Sequence, residues 1–442
     1  MKYASLISLG CAKNLVDSET MVKQLVDIGY TMTEAVHEAE LILINTCGFL
    51  ESAVQEAIHT ILDASRFKEE GRCSRLLVAG CMVQRYGKKL LEELPEVDLF
   101  LGTSHYHRVQ AALESSLSGN PRRLWIARPL QSGPQPARLR STAPHTAYVK
   151  IAEGCGNSCA FCIIPHLRGP LRSRADRDIL AEVGQLASEG VKEINLIAQD
   201  TTAYGLDRGD RNALPRLLEA LGNLHGIEWI RILYAYPDRI TGSLLDVMAG
   251  TPKIVPYLDI PIQHCVPKIL EKMGRPAQSP ESIIDKIRSA VPGIALRTSI
   301  MVGFPGETEA DFKALTAFVE GVGFDHAGVF AFSPETGTRA ARMSRRPGKR
   351  TAERRRADLL EVQRRISRRK LEKRIGDVVS VLIEGRHPET DLLLSGRLAT
   401  QAPEVDGCVI ITAGRCEPGQ IREVTISAAH DYDLEGALLD EA

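Results

Sequence analysis

The stretch "EGCGNSCAFCIIP", residues 153–165, places three cysteines close together in one short segment. Cys159 follows Cys155 by four residues, and Cys162 follows Cys159 by three. A structural zinc site needs four ligands in tetrahedral geometry, and no fourth cysteine follows within the usual loop distance. Cysteine thiolates also hold iron–sulfur clusters, and three protein ligands on a cubane cluster leave one iron open. The spacing therefore favours such a cluster, with a partial zinc knuckle or three unrelated thiols as the alternatives.

The region around these cysteines alternates short apolar runs with helical patterns. Six candidate strands lie at residues 147–152, 193–197, 229–235, 257–262, 295–301 and 328–332. Six strand–helix units are too few for a closed eight-fold barrel, so they predict a partial barrel. The cysteine segment leaves the carboxyl end of the first strand, which is the catalytic face in barrels of this kind.

The first hundred residues predict a small doubly wound α/β domain. Candidate strands at 3–9, 41–45 and 75–79 alternate with helical patterns at 18–28, 52–64 and 84–94. A cysteine follows each strand closely, at Cys11, Cys47 and Cys81. Because the carboxyl ends of parallel strands meet at one edge of a sheet, we expect these thiols to gather at the same rim. The alternative is that they are three small buried hydrophobic side chains.

The rest of the chain divides by composition and charge. Residues 116–145 are rich in Pro, Gly, Ser and Arg, which is typical of a linker. A long basic helix is expected at 344–375, and residues 339–375 carry 16 Lys/Arg against 4 Asp/Glu. Residues 376–442 carry 4 against 13, a net charge of −9, and their short apolar runs predict a small β-barrel. We therefore expect domains at 1–115, 141–373 and 376–442, with a linker at 116–140.

Composition excludes several classes of protein. Apolar residues make up 44% of the chain and charged residues 25%, which is typical of a soluble globular protein. No run reaches the roughly 18 consecutive apolar residues of a membrane span. The N-terminus is more typical of a buried strand than of a secretion signal. We therefore expect a cytoplasmic protein with no membrane partner, whose ten cysteines serve metal or redox chemistry rather than disulfides.

The cysteine segment resembles the signature of the radical S-adenosylmethionine (SAM) enzymes, with the aromatic Phe161 before the last cysteine. The resemblance implies that Cys155, Cys159 and Cys162 hold a [4Fe-4S] cluster whose open iron binds the amino and carboxylate groups of SAM. An electron from the cluster then cleaves SAM and yields a 5′-deoxyadenosyl radical. The partial barrel predicted above is the fold that this family uses.

Three more residues are candidates for binding SAM. Gln199 and Asp200 match the region that contacts the SAM amino group in relatives, although an ordinary loop is the alternative. Gly303 lies at a strand end, where the backbone can approach a ligand closely. A turn followed by a helix cap explains Gly303 nearly as well.

The resemblance extends to the methylthiotransferases within that family. The motifs "SLGCAKNLVDSE", "NTCGF" and "GCMVQRYG", with a TRAM-like C-terminal module, are similar to theirs. The resemblance implies that Cys11, Cys47 and Cys81 hold a second [4Fe-4S] cluster, which handles sulfur. These enzymes replace a C–H hydrogen with a methylthio group and use two SAM molecules per turnover. An unactivated carbon offers no acidic proton and no leaving group, so acid–base and nucleophilic catalysis have nothing to act upon.

The family divides by substrate into two groups. One group modifies an adenosine near the tRNA anticodon, and the other, of RimO type, modifies the β-carbon of an aspartate in ribosomal protein uS12. The motifs "LIAQDTTAYG", "YLDIPIQH" and "YDLEG" resemble the second group. A module that binds tRNA should be basic, because it must neutralise phosphate groups. This terminal module is acidic, and it would therefore attract a basic ribosomal protein. We expect no catalytic side chain beyond the cluster ligands.

The sequence leaves two other hypotheses about the function open. The tRNA adenosine activity is the alternative within the family, and the basic helix offers an RNA contact. A non-catalytic iron–sulfur protein that binds RNA or senses redox state is the alternative from another class. The predicted enzyme also needs an electron donor, such as flavodoxin, and a source of sulfur.

Overall fold

Two six-stranded parallel sheets, a closed five-stranded barrel and a two-stranded sheet organise the part of the chain described here. This computed structural model describes residues 1–116, 122–129, 137–275 and 279–439. The predicted fold class is confirmed: a doubly wound α/β domain, a partial barrel of six strands and a small β-barrel follow one another along the chain.

The N-terminal domain is built on the first parallel sheet. Apolar runs such as Leu41–Thr46 are buried on both faces, because helices cover the sheet from either side. In spatial order its strands are Tyr30–Met32, Lys2–Ser8, Leu41–Thr46, Arg75–Gly80, Leu99–Gly102 and Leu124–Trp125. Its helices are Ala12–Asp27, Glu51–Ser65, Phe67–Glu70, Cys81–Tyr86, Lys88–Glu93 and Val109–Ser116.

This domain differs from the sequence-based expectation in several places. The first helix begins at Ala12 rather than at residue 18, with the extended Cys11 as its N-cap. The helix expected at 84–94 is two helices separated by Gly87, whose φ of +48° interrupts the helical path. Strand Leu124–Trp125 lies inside the predicted linker and pairs with Leu99–Gly102. Residues 117–121 and 130–136 of that linker lie outside the described residues.

The central domain is an open sheet whose six strands are neighbours in their chain order, all parallel. Thr308 and Asp311 form a capping box at the start of helix Glu309–Val322, as their spacing predicts. The strands are Thr146–Lys150, Glu193–Ile197, Trp229–Ile232, Ile254–Asp259, Ala295–Val302 and His326–Ala331. The helices are Ile164–Arg168, Asp176–Ser188, Ala213–Gly222, Gly242–Gly250, Pro267–Lys272, Pro280–Ala290 and Glu309–Val322.

The basic helix spans Lys349–Glu372 and leads into the C-terminal barrel. It packs Leu359, Val362 and Ile366 against the core of the central domain, so its basic side chains lie mainly on its outer face. The barrel strands are Val378–His387, Thr390–Leu398, Val409–Ala413, Ile421–Ala429 and Leu434–Leu438. In the described ranges, no helix combines the length and the apolar character that crossing a membrane requires.

A buried group of charges joins the barrel to the central domain. Glu193, at the start of its strand, accepts a hydrogen bond from Arg231 Nε at 2.9 Å and a second one from Arg397 of the barrel. Arg397 Nε in turn donates to Glu384 at 2.6 Å. Burial raises the pKa of Glu193, but Arg397 and Arg231 prevail and lower it to about 2. The barrel therefore covers the amino ends of the core strands and leaves their carboxyl ends to the N-terminal domain.

We expect Glu193→Gln to lower the free energy of unfolding by about 3–5 kcal/mol at neutral pH, because it leaves buried guanidinium groups without their carboxylate. Urea unfolding followed by the fluorescence of Trp229, which shares a strand with Arg231, measures the loss. Glu361→Gln is the matched control, since Glu361 and Arg364 form a pair that is 51% and 40% exposed. This control should change stability little.

The loss of stability that Glu193→Gln causes should become smaller as the pH falls. The folded pKa of Glu193 is about 2, below the ordinary carboxyl value of about 4.3. Its contribution is therefore complete above about pH 4.3 and disappears as the pH falls towards 2. The difference in stability between the natural protein and Glu193→Gln should shrink on acidification, and a constant or growing difference would contradict this assignment.

Candidate functional site

The core cysteine loop lies between strand Ala152–Glu153 and helix Ile164–Arg168. Its first cysteine is held by the hydrogen bond from Cys155 N to Gly169 O at 3.0 Å. Its middle is held at Ala160, whose N–H donates to Met273 O at 2.7 Å and whose carbonyl accepts from Ala340 N at 2.8 Å. The loop is therefore fixed by backbone contacts on both sides, and Asn157 N also donates a hydrogen bond to Cys155 Sγ at 3.4 Å.

Two glycines flank Cys155 and differ in their surroundings. Gly154 has a φ of +78°, and a Cβ there would lie 2.0 Å from Pro170 O. Around Gly156, a Cβ would meet no atom within 4 Å. The close approach of the chain to Pro170 therefore requires glycine at position 154, whereas position 156 has room for a side chain.

The three core thiols affect one another electrostatically. Burial, helped by Cys159 and Cys155 as neighbouring negative charges, raises the pKa of Cys162 to about 12. Burial also raises the pKa of Cys155. No three His, Cys, Asp or Glu side chains in the described ranges converge on a single metal ion. Three soft thiolates in one loop have the donor chemistry of an iron–sulfur cluster, in which each cysteine binds a different iron.

Gln199 and Asp200 follow strand Glu193–Ile197 and differ in whether their acceptor oxygens already accept hydrogen bonds. Both carboxylate oxygens of Asp200 already accept hydrogen bonds, and Asn157 of the cysteine loop donates one of them at 2.8 Å. Gln199 Nε2 donates to Glu153 at 2.7 Å, but its Oε1 is buried without a hydrogen-bond partner. A free buried acceptor suits an ammonium donor such as the amino group of SAM. For Asp200, the structure indicates a loop anchor, and its contact with SAM stays a prediction.

Phe161 and Gly303 have structural explanations of their own. Phe161 is 9% exposed and packs with Met273 and Phe304 in a small apolar cluster behind the loop. A Cβ at Gly303, where φ is +75°, would lie 2.5 Å from the Cβ of Ala352 on the basic helix. This close approach accounts for the glycine without a ligand. Contacts of both residues with SAM therefore stay predictions.

The N-terminal cysteines gather at one rim of their sheet. Asn14 joins the three loops, since its Nδ2 donates to Leu9 O and Thr46 O at 3.1 Å and Cys81 Sγ lies 3.7 Å from its Oδ1. A Cβ at Gly10 would lie 3.2 Å from the Cβ of Cys47. The strand ends that carry Cys11, Cys47 and Cys81 are thus drawn together, and sequence analysis did not identify Asn14 as the link.

The N-terminal thiols differ in their acidity. Burial raises the pKa of Cys81 to about 11, against the opposing effect of Arg168. Burial also raises the pKa of Cys47. For Cys11, burial raises the pKa, but Lys13, Arg168 and nearby backbone N–H groups prevail and lower it. Although many protein atoms surround its thiol, Cys11 is an exposed residue, so this triad opens to solvent at one corner.

Buried charges connect this rim to the core cysteine loop. Lys150 Nζ lies 2.5 Å from Asp17 of the first helix and 2.9 Å from Glu153, which is two residues before Cys155. Arg168, which follows the core loop, pairs with the same two carboxylates. Sequence analysis did not identify this set, although Lys150 within an otherwise apolar strand was a signal. The rim that carries the N-terminal triad and the two ends of the core cysteine loop therefore meet at the same interface between the domains.

Lys13 adds a second contact across this interface. Its Nζ lies 3.0 Å from the centre of the Tyr234 ring, just past a core strand. Tyr234 has a φ of +61°, which is unusual for a residue with a large side chain. Because Lys13 is two residues after Cys11, this contact places the first N-terminal cysteine near the carboxyl ends of the core strands.

Comparison with known families agrees with this architecture. The Uncharacterized protein family UPF0004 matches residues 3–102, the Radical SAM superfamily matches 149–319, and the TRAM domain matches 375–439. The radical SAM methyltransferase TsrM from Kitasatospora setae, solved with cobalamin and a [4Fe-4S] cluster, has a TM-score of 0.53 at 12% identity. That likeness covers 75% of each chain and supports the fold alone.

We expect Gly154→Ala to displace the core cysteine loop, because the new methyl group would collide with the backbone of Pro170. After anaerobic reconstitution, this variant should bind about half the iron of the natural protein if each triad holds one cluster. Gly156→Ala is the matched control on the other side of Cys155 and should bind the full amount. Equal iron in both variants would contradict the assigned packing.

Full-length relatives identify the family. A protein of Syntrophobacter fumaroxidans named "Ribosomal protein uS12 methylthiotransferase RimO" is 61% identical over 438 residues, which cover 99% of each chain. A protein of the same name from Geobacter sulfurreducens is 45% identical over 438 residues, covering 98% of each chain. Since these relatives match over nearly the whole chain, the chain belongs to the RimO family of radical SAM methylthiotransferases.

Proposed function

We propose that the protein replaces a hydrogen on the β-carbon of an aspartate of ribosomal protein uS12 with a methylthio group. The observation that supports this proposal is the buried set of ion pairs, Asp17, Lys150, Glu153 and Arg168, which joins the rim of the N-terminal triad to the ends of the core cysteine loop. Sulfur insertion at an unactivated carbon needs hydrogen abstraction and sulfur delivery next to the same substrate atom. Two clusters on either side of this interface would meet that requirement.

Each triad has a proposed role. Cys155, Cys159 and Cys162 would hold a [4Fe-4S] cluster that binds SAM, and Cys11, Cys47 and Cys81 would hold a second one. When bound, the clusters and two molecules of SAM supply the electron, the radical and the methylated sulfur. We propose that Gln199 Oε1, which is buried and accepts no hydrogen bond from the described residues, accepts one from the amino group of SAM.

Other residues of the chain would hold the core cysteine loop in place and keep water out of the site. Asn157 and Asp200 orient the core cysteine loop through their hydrogen bond. Lys13, stacked on the ring of Tyr234, closes one side of the space between the domains. Exclusion of water matters here, because a reactive carbon radical must meet its substrate before it is quenched.

Charge favours a protein substrate over tRNA. The C-terminal barrel carries a net charge of −9, and its exposed acidic residues include Glu389, Asp391 and Glu423. Such a surface repels phosphate groups and attracts a basic ribosomal protein. The names of the full-length relatives point to the same substrate. The tRNA adenosine reaction is therefore not favoured.

The remaining partners complete the proposal. Arg350 and Arg369 on the basic helix are exposed and form no ion pair within the described ranges, which favours a contact with RNA of the small subunit. An electron donor such as flavodoxin would reduce the core cluster, and a separate source would renew the sulfur. We place this reaction in the cytoplasm, where uS12 is made and assembled.

The first test weighs uS12 from cells that lack the gene. Small-subunit proteins from these cells should contain uS12 lighter by the difference between a methylthio group and a hydrogen. A plasmid copy of the natural gene should restore the heavier form. An unchanged mass of uS12 in the deletion strain would overturn the substrate assignment.

The second test counts iron. The natural protein should bind about eight irons per chain after anaerobic reconstitution, since each cubane cluster contains four. Replacing Cys155, Cys159 and Cys162 together with alanine should leave about four, and replacing the N-terminal triad should do the same. Cys416→Ala, a half-buried thiol in the C-terminal barrel, is the matched control and should leave the count unchanged. About four irons in the natural protein would contradict the two-cluster proposal.

A further inference from the structure

Arg168 is the basic side chain that reaches a sulfur of the N-terminal triad. It ends the short helix after the core cysteine loop, and its side chain is 3% exposed. Its Nη2 lies 3.5 Å from Cys81 Sγ and also donates to Asn14 Oδ1. A residue of the core domain therefore makes a hydrogen bond to a cysteine of the other domain.

The other guanidinium nitrogen of Arg168 faces carboxylates. Its Nη1 donates to Asp17 Oδ2 at 2.5 Å and to Glu153 Oε2 at 3.3 Å. Lys150 pairs with the same two carboxylates, at 2.5 and 2.9 Å. Two cations and two carboxylates thus balance within this group. The three thiolates that would hold a cluster add negative charge beside it, and Arg168 donates a hydrogen bond to one of them, Cys81.

We propose that Arg168 is a positioning residue that raises the reduction potential of the N-terminal cluster, and that Asp17 limits this effect. This inference rests on the proposed function, because it requires the N-terminal triad to hold a cluster. Hydrogen bonds to ligand sulfurs, net charge and burial are the properties that set the potential of an iron–sulfur cluster. A buried positive charge stabilises the more negative, reduced state, and the carboxylate of Asp17 acts in the opposite direction.

This placement has a chemical consequence for the proposed reaction. The two triads share one interface but need different redox properties, since one must give an electron to SAM and the other must handle sulfur. Arg168 contacts a cysteine of the N-terminal triad, whereas Glu153, its carboxylate partner, lies two residues from the core triad. The charge of Arg168 would therefore act on the potential of the N-terminal cluster more than on that of the core cluster.

The test isolates the N-terminal cluster and measures its midpoint potential. The background is the protein in which Cys155, Cys159 and Cys162 are all replaced by alanine. Redox titration followed by electron paramagnetic resonance is carried out on this background and on three further variants. Arg168→Gln should shift the midpoint to a lower potential, and Asp17→Asn should shift it to a higher one. The double variant should lie between them, close to the background.

Opposite shifts of the midpoint potential distinguish an electrostatic role of these residues from structural damage to the cluster site. Asp17→Asn keeps Arg168 in place, so the inference stays testable even if Arg168→Gln fails to fold. Arg177→Gln removes an arginine whose side chain is 89% exposed and should leave the midpoint unchanged. Shifts in the same direction for both single variants, or no shift in either, would overturn the inference and leave the proposed function intact. A background protein without iron would overturn the two-cluster proposal itself, and this inference with it.

Discussion

The buried ion pairs between the first helix and the start of the core determine how the N-terminal domain sits on the central domain. Asp17, Lys150, Glu153 and Arg168 come from two domains, and each cation contacts carboxylates from both of them. Charges removed from water must stay paired, so the domains cannot slide past each other without a large electrostatic cost. The rim of the N-terminal sheet is thereby held against the end of the core that carries the cysteine loop.

A second buried group of the same kind holds the opposite end of the core. Glu193 and Glu384 pair with Arg231 and Arg397 where the C-terminal barrel covers the amino ends of the strands. Both groups contain two carboxylates and two cations, so neither interface carries a large net charge. Such pairs contribute modestly to stability compared with apolar packing, but they favour one arrangement of the domains over others. The central domain is therefore closed at one end by the barrel and meets the cysteine rim at the other.

The local elements follow from the sequence because their causes are local. Strand Glu193–Ile197 has the predicted limits, since a short apolar run between turn signals is enough to specify a buried parallel strand. The capping box at Thr308 has the same origin. Errors occur where tertiary contacts extend or interrupt a pattern. The first helix begins early at Ala12 because polar residues are buried between domains. Strand Leu124–Trp125 forms only by pairing along a sheet edge.

By itself, the sequence determined the cysteine spacing, the order of the three domains and the carboxyl-end placement of both triads, because these depend on chain order and hydrophobic period. Tertiary structure alone decided that Asn14 joins the N-terminal loops, that Gln199 keeps a free buried acceptor and that Arg168 reaches Cys81. Asp17 and Arg168 lie 151 residues apart in the chain, and no local pattern records their contact. Burial is the physical reason: a charge in a low-dielectric interior needs a partner, and the fold decides which one is near.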